Sequence, residues 1–184
     1  MTLLYHTALE ELAAVFDRLD HAQVDAAIAA IGGARRIALY GVGREGLQIK
    51  GFAMRLFHLG LDVCVVGDMA APPIGDGDLL IVSAGPGDFS TVSALMGVAK
   101  RDGATTLCFT AQPDASCPAM ADHVVHIPAQ TMANDVSAGA TSVLPMGSLY
   151  EGAQYVLYEG MILKLKEKLG VTGKAMRDNH TNLE

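Results

Sequence analysis

Three glycines in the stretch RIALYGVGREG, Gly41, Gly43 and Gly46, spell G-x-G-x-x-G directly after apolar residues that read as a strand. Asp68 follows about 20 residues further on, the spacing of a dinucleotide-binding turn. In such a turn the glycines let the backbone approach a pyrophosphate at a helix N-terminus. The same physics serves any small anionic ligand, because orphan N–H groups and the helix dipole respond to charge, whatever carries it. A tight strand-to-helix turn that binds nothing has the same letters. Spacing alone leaves the three readings open.

Other side chains capable of chemistry are dispersed. His123 and His126 flank a strand and have no carboxylate or cysteine at metal-ligand spacing, so they read as exposed or edge residues. His58, in RLFHLG, reads as a core or subunit-contact residue. Lys50 and Arg55 follow the glycine turn on one helix, with Arg55 placed either in a pocket or in an ion pair across an interface. Asp88 reads as a helix N-cap. Cys64, Cys108 and Cys117 are an odd number without metal spacing, which suits buried, reduced thiols of a cytoplasmic protein. Met54, Met69, Met96, Met120 and Met161 read as core filler.

Composition narrows the partners. A net charge of −7 argues against a nucleic-acid role, which needs a basic face, but leaves room for a local anion site. Aromatic residues are 5% with no Trp, too few for stacking platforms under bases or oligosaccharides. No apolar run is long enough to span a bilayer. The N-terminal MTLLYHTALEELAAVFDRLD carries early acids and a helical period, without the basic region or cleavage site of a secretory signal.

The elements that must position these groups alternate. Residues 3–31 read as one or two amphipathic helices with Leu12, Val15, Phe16 and Leu19 on one face, stopped at Gly32 and Gly33. RRIALYG, LDVCVVG, DLLIVSAG, TTLCFT and HVVHIPA read as five strands, nearly continuous apolar runs of the kind covered on both faces in a parallel sheet. Between them REGLQIKGFAMRLFHLG reads as a helix with Leu47, Phe52, Met54, Leu56 and Phe57 mostly inward. FSTVSALMGVAKRDG and CPAMA read as two more. QTMANDVSAGATS reads as a loop, followed by a long helix from near Pro145 and a short terminal helix or tail. The expected fold is α/β: a three-layer αβα sandwich on a five-stranded parallel sheet, flavodoxin-like. One domain is expected, with N-terminal helices over 1–33, a core over 34–128 and C-terminal helices over 145–184.

The wider string breaks the tie over the glycine turn. GVGREGLQIKGFAMRLFHLG followed by VVGDMAAPPIGDGDLLIVSAGPGD resembles the sugar isomerase (SIS) domain, and within it the 6-phospho-3-hexuloisomerases. The helix opening GSLYEGA and the terminal HTNLE extend the resemblance over residues 34–184. It implies that the loops after the first and third strands hold a phosphosugar and not a dinucleotide. Gly43, Arg44 and Glu45 then lie on the first ligand loop, and Ser83, Gly85, Gly87, Asp88, Ser90 and Thr91 on the second.

The chain departs from the pattern where the phosphate would sit. The family writes its loops G-x-G-R-S-G and S-G-S-G-x-[ST]. Here Glu45, Ala84 and Pro86 replace serines and Phe89 replaces a threonine. A carboxylate about 4 Å from a phosphate costs on the order of 1 kcal/mol even at high dielectric. Each lost donor costs about 1.5–3 kcal/mol more, and Pro86 also lacks an N–H. Ser83, Ser90, Thr91 or an inward-turned Arg44 would have to replace them. Two readings of Glu45 follow: an acceptor for sugar hydroxyls, or a residue turned to solvent or paired with Arg44 or Arg55.

The resemblance also assigns the chemistry. Moving a carbonyl along a sugar needs a base for a carbon-bound proton and an acid that serves the oxygens. The base corresponds to Glu151, and its partner to His180, acting in a neighbouring subunit's pocket because sites in the family lie between subunits. Glu151 near a helix N-terminus is also ordinary dipole compensation, and a terminal histidine is often idle. No metal or organic cofactor is called for. The expected protein is a cytoplasmic homodimeric or homotetrameric isomerase acting on a small sugar or sugar phosphate, with no nucleic acid and no membrane. The alternative is a non-catalytic carbohydrate sensor or regulatory protein.

Overall fold

The computed structural model describes residues 2–136 and 141–183. Each apolar run forms a strand: β1 (Ile37–Tyr40), β2 (Val63–Val65), β3 (Leu79–Ser83), β4 (Thr105–Thr110) and β5 (His123–His126). They pair entirely in parallel in the order β2-β1-β3-β4-β5. The helices are α1 (Thr2–Phe16), α2 (His21–Gly33), α3 (Gly43–His58), α4 (Ser90–Arg101), α5 (Ser116–Met120), α6 (Ser148–Lys168) and α7 (Gly173–Asp178). The break between α1 and α2 is marked by Asp20, whose carboxylate caps α2 by accepting from the Ala22 N–H at 2.9 Å. No helix among the described residues is long and apolar enough to cross a membrane.

Strand side chains alternate between two cores, as period-two geometry requires. Ile37, Leu39, Leu79, Ile81, Leu107, Phe109 and Val125 face a large cluster with α2, α3 and α6. Ala38, Leu80, Val82 and Cys108 face a smaller one with α4 and Cys117 of α5. Along α1, Val15 is buried in the larger core and Leu12 and Phe16 pack against it, as the helical period predicts. The α3 prediction needs correcting: Phe52 and Leu56 point inward, but Leu47, Met54 and Phe57 are exposed. Apolarity alone does not say which face of a helix is covered.

Two boundaries also move. The long C-terminal helix begins at Ser148 and not near Pro145, because Met146 and Gly147 are both left-handed, with φ of 58° and 75°. The residue before α4 that takes the N-cap position is Phe89, without a side-chain cap, and Asp88 is exposed.

At the opposite edge of the sheet, buried Asp78 accepts a fork of two 2.9 Å bonds from Arg35 and a third from the Gly75 N–H. Arg35 holds the Asp78 carboxyl below its ordinary value. An acid whose pKa is depressed on folding stabilises fully above its unfolded value and less as pH falls through the folded one. Asp78→Ala is expected to cost about 2 kcal/mol in urea unfolding at neutral pH, with the deficit shrinking in acid.

The chain leaves β1 toward β2 on one side and β3 toward β4 on the other. The turns after β1 and β3 therefore sit side by side at the carboxyl edge, the topological switch point where open α/β sheets bind ligands.

Candidate active site

The glycine turn is tight for a steric reason. A Cβ on Gly46 would lie 2.5 Å from the Gly41 carbonyl oxygen, and one on Gly41 would lie 3.0 Å from the Gly46 Cα. These two glycines serve the close approach of strand and helix. The turn delivers Arg44 and Glu45 into the first turn of α3, over the end of β3.

Glu45 turns inward. It is 6% exposed, and its Oε2 accepts the Ser83 hydroxyl proton and, at 2.9 Å, the Gly85 N–H. Behind it runs a buried polar stripe from α6. Gln154 Nε2 donates to Ser83 Oγ and to the Tyr158 hydroxyl, both at 2.8 Å, and the Tyr150 hydroxyl lies 3.3 Å from Ser83 Oγ. Ser83 has one proton and gives it to Glu45, so Tyr150 is the donor in the last contact. Burial pushes the Glu45 carboxyl above its ordinary value, the Ser83 and Gly85 bonds pull it back, and the nearby Glu151 charge raises it further. Burial likewise keeps Tyr150 and Tyr158 as neutral phenols. Below the stripe, Tyr158 stacks on Phe52 with ring centres 4.4 Å apart, and Phe109 meets both rings edge-on.

Arg44 crosses from α3 to the start of α6. Its Nη1 donates to Ser148 Oγ at 2.7 Å, and its Nη2 donates to the Met146 carbonyl and lies 3.3 Å from Glu151 Oε1. Glu151 sits at the first turn of α6, where the helix dipole favours its anion. Its Oε2 is enclosed without a hydrogen-bond partner. Burial pushes the Glu151 carboxyl above its ordinary value, and the Arg44 charge opposes this.

These groups share one cleft of about 300 Å³, at the small end of the usual range for small-molecule sites. Gly43, Arg44 and Glu45 form one wall, Tyr150 and Glu151 another, and Pro86 and Phe89 a third, with Thr131, Met132 and Gly147 closing it. Ser83 and Gly85 stand behind Glu45 as its hydrogen-bond donors. Gly87, Asp88, Ser90 and Thr91 do not line the cleft; Asp88, Ser90 and Thr91 are exposed around the start of α4. Glu45 therefore neither turns to solvent nor pairs directly with Arg44 or Arg55. Arg55 is directed away from the cleft into a fork with Glu159 of α6 at 2.8 and 3.1 Å.

His180 sits elsewhere. It stacks on buried His58, ring centres 5.1 Å apart, while Asn179 donates to the His58 carbonyl at 3.1 Å. His58 ends α3 and Arg44 lies in its first turn, so Glu151 beside Arg44 and His180 beside His58 are separated in one chain by roughly 20 Å at about 1.5 Å rise per residue. Among the described residues no group of three His, Cys, Asp or Glu side chains is arranged to hold a metal ion.

Sequence reading missed Tyr150, Gln154 and Tyr158 as site residues. The available signal was their four-residue spacing, which puts one phenol, one amide and another phenol on a single helix face. It also missed Thr131 and Met132, which Gly147 brings to the cleft. A Cβ there would lie 2.6 Å from the Met132 nitrogen and 2.8 Å from the Thr131 carbonyl carbon. Gly147→Ala is expected to cost about 2–3 kcal/mol, from the left-handed φ and this contact together, and to weaken ligand binding. Thermal denaturation and calorimetric titration check the two effects separately.

A model of the SIS domain matches residues 30–153. The chain belongs to the SIS domain family. Among its SIS relatives, the 3-hexulose-6-phosphate isomerase of Bacillus subtilis is 37% identical over 145 residues, covering 78% of this chain and 77% of the relative. The protein of the same name from Mycobacterium gastri is 35% identical over 175 residues, covering 95% and 87%. The crystal structure of a hypothetical protein from Methanococcus jannaschii superposes with a TM-score of 0.84 at 24% identity, covering 98% of each chain, and shares the SIS fold.

Proposed function

We propose that this SIS domain is a sugar isomerase that moves a carbonyl between neighbouring carbons through an enediol. Glu151 is the base. The observation that carries this reading is its position: a carboxylate on the cleft wall, with one oxygen beside Arg44 and the other enclosed and unpartnered. Partial burial raises its basicity, and Arg44 keeps it ionised and oriented. Relatives named 3-hexulose-6-phosphate isomerase support the reaction class.

The enediol also needs a proton carrier for its oxygens. In this reading His180 of a neighbouring copy supplies it, consistent with its distance from Glu151 in one chain. A homodimer or homotetramer is the matching assembly. Its support is the exposed apolar surface of α6 and of the two helices packed on it: Leu4 and Leu9 on α1, Leu47, Met54 and Phe57 on α3, and Tyr155 and Leu163 on α6.

The test is proton exchange. Ketoses, free and phosphorylated, incubated with the protein in D₂O should take up deuterium on the carbon beside the carbonyl, read by NMR. Sugar that binds without exchanging would instead make this a carbohydrate-sensing SIS protein.

A further inference from the structure

An anion-binding cleft needs donors free to face its ligand, and here the Ser83, Gly85 and Arg44 donors are committed inside the protein. The Ser83 hydroxyl and the Gly85 N–H both donate to Glu45 Oε2. Pro86, on the third wall, has no N–H. Arg44, the one cation among the described residues lining the cleft, is engaged by Ser148, the Met146 carbonyl and Glu151. Two carboxylates line the cleft against that single guanidinium, so its local charge is negative.

The spare capacity is of the other kind. Among the described residues nothing donates to Glu45 Oε1, and nothing donates to Glu151 Oε2. Both are acceptors, which suit hydroxyl groups. The Phe89 ring and the Pro86 ring supply apolar surface for the C–H face of a small sugar.

We propose that the substrate of this cleft is an unphosphorylated ketose, bound through its hydroxyls to Glu45, whose carboxylate occupies the donors that would otherwise receive an anionic group. This deepens the isomerase reading and rests on it for the word substrate, but the binding preference stands on the cleft alone. Glu45 is a binding residue here and takes no proton from carbon. Its near-complete burial, with donors supplied from Ser83 and Gly85, ties it to the cleft wall and keeps it from swinging into solvent to admit a phosphate.

The experiment is calorimetric titration of the full chain with free five- and six-carbon ketoses, with fructose 6-phosphate and with inorganic phosphate. Wild type is expected to bind at least one free ketose about tenfold or more tightly than the phosphate ester, the scale of one like-charge contact. Glu45→Ser, which frees the Gly85 N–H and adds a hydroxyl, is expected to reverse that order. Glu45→Gln, which keeps the side-chain shape while removing the charge and exchanging one acceptor oxygen for a donor, controls for variants that fold poorly. Equal or tighter binding of the ester by wild type overturns the proposal, as does failure to bind any free ketose. Deuterium exchange is measured separately on whichever sugar binds. Exchange with the ester alone keeps the isomerase reading and sinks this one. Tight binding of a free ketose without exchange does the reverse.

Discussion

Glu151→Gln is expected to lower kcat by about 10²–10⁴-fold while leaving sugar affinity largely unchanged. The substitution keeps the shape of the side chain and its contact with the α6 turn, and removes the basic oxygen. Arg44 loses one ion-pair partner, 3.3 Å away, but retains Ser148 and the Met146 carbonyl. The cleft geometry should therefore survive. Deuterium uptake into bound sugar should vanish with kcat, because both pass through the same carbon deprotonation. The pH profile of the wild type carries a second signature. Burial raises the Glu151 carboxyl above its ordinary value, and a base acts only when ionised. The rate should therefore climb with pH along an acid limb displaced upward from the ordinary glutamate range. A variant within about tenfold of wild type would place the base on another residue.

The second large effect is recovery from two inactive chains. His180→Asn alone is expected to reduce turnover by about 10²-fold or more, by removing the proton carrier of the enediol oxygens. Co-expressing Glu151→Gln and His180→Asn chains under separate tags should restore activity. In a mixed dimer, one of the two clefts receives Glu151 from one chain and His180 from the other, both intact. Random pairing gives about a quarter of the wild-type sites, since half the dimers are mixed and half of their clefts are whole. Mixed oligomers as inactive as either parent would show that His180 does not serve a neighbour. The reason to expect sharing is the position of His180 against His58, at the far end of the helix whose first turn holds Arg44.

The sheet was legible because its inner strands are covered on both faces. A run such as Leu79–Ser83, buried at every position, cannot be mistaken for a half-exposed strand. The first half of the site was legible for a similar reason: Gly43, Arg44 and Glu45 are consecutive and belong to one turn. The direction of Glu45 was not. Its partners Ser83 and Gly85 lie 38 and 40 residues away, so a carboxylate facing solvent and one facing inward have the same local sequence. Thr131 and Met132 were hidden behind the same problem, since only Gly147 packing on their backbone brings them in. Leu47, Met54 and Phe57 show the converse failure. Their apolarity suggested the core of this chain, whereas α3 turns them outward.

The stripe Tyr150, Gln154 and Tyr158 gives the hydrogen bonds behind Glu45 a direction. With Glu45 ionised, protons point toward it: Tyr150 and Gln154 donate to Ser83, and Ser83 donates to the carboxylate. This leaves the Gln154 carbonyl oxygen enclosed with nothing to accept. Were Glu45 to take up a proton on Oε2, it would become the donor and Ser83 would need a new acceptor. A half-turn of the Gln154 amide supplies one, bringing that idle oxygen to Ser83 and to the Tyr158 hydroxyl. The two ionisation states of Glu45 thus correspond to two opposite hydrogen-bond polarities along one face of α6. The charge on the cleft wall is then written into the aromatic core, at a phenol stacked on Phe52 and remote from any solvent.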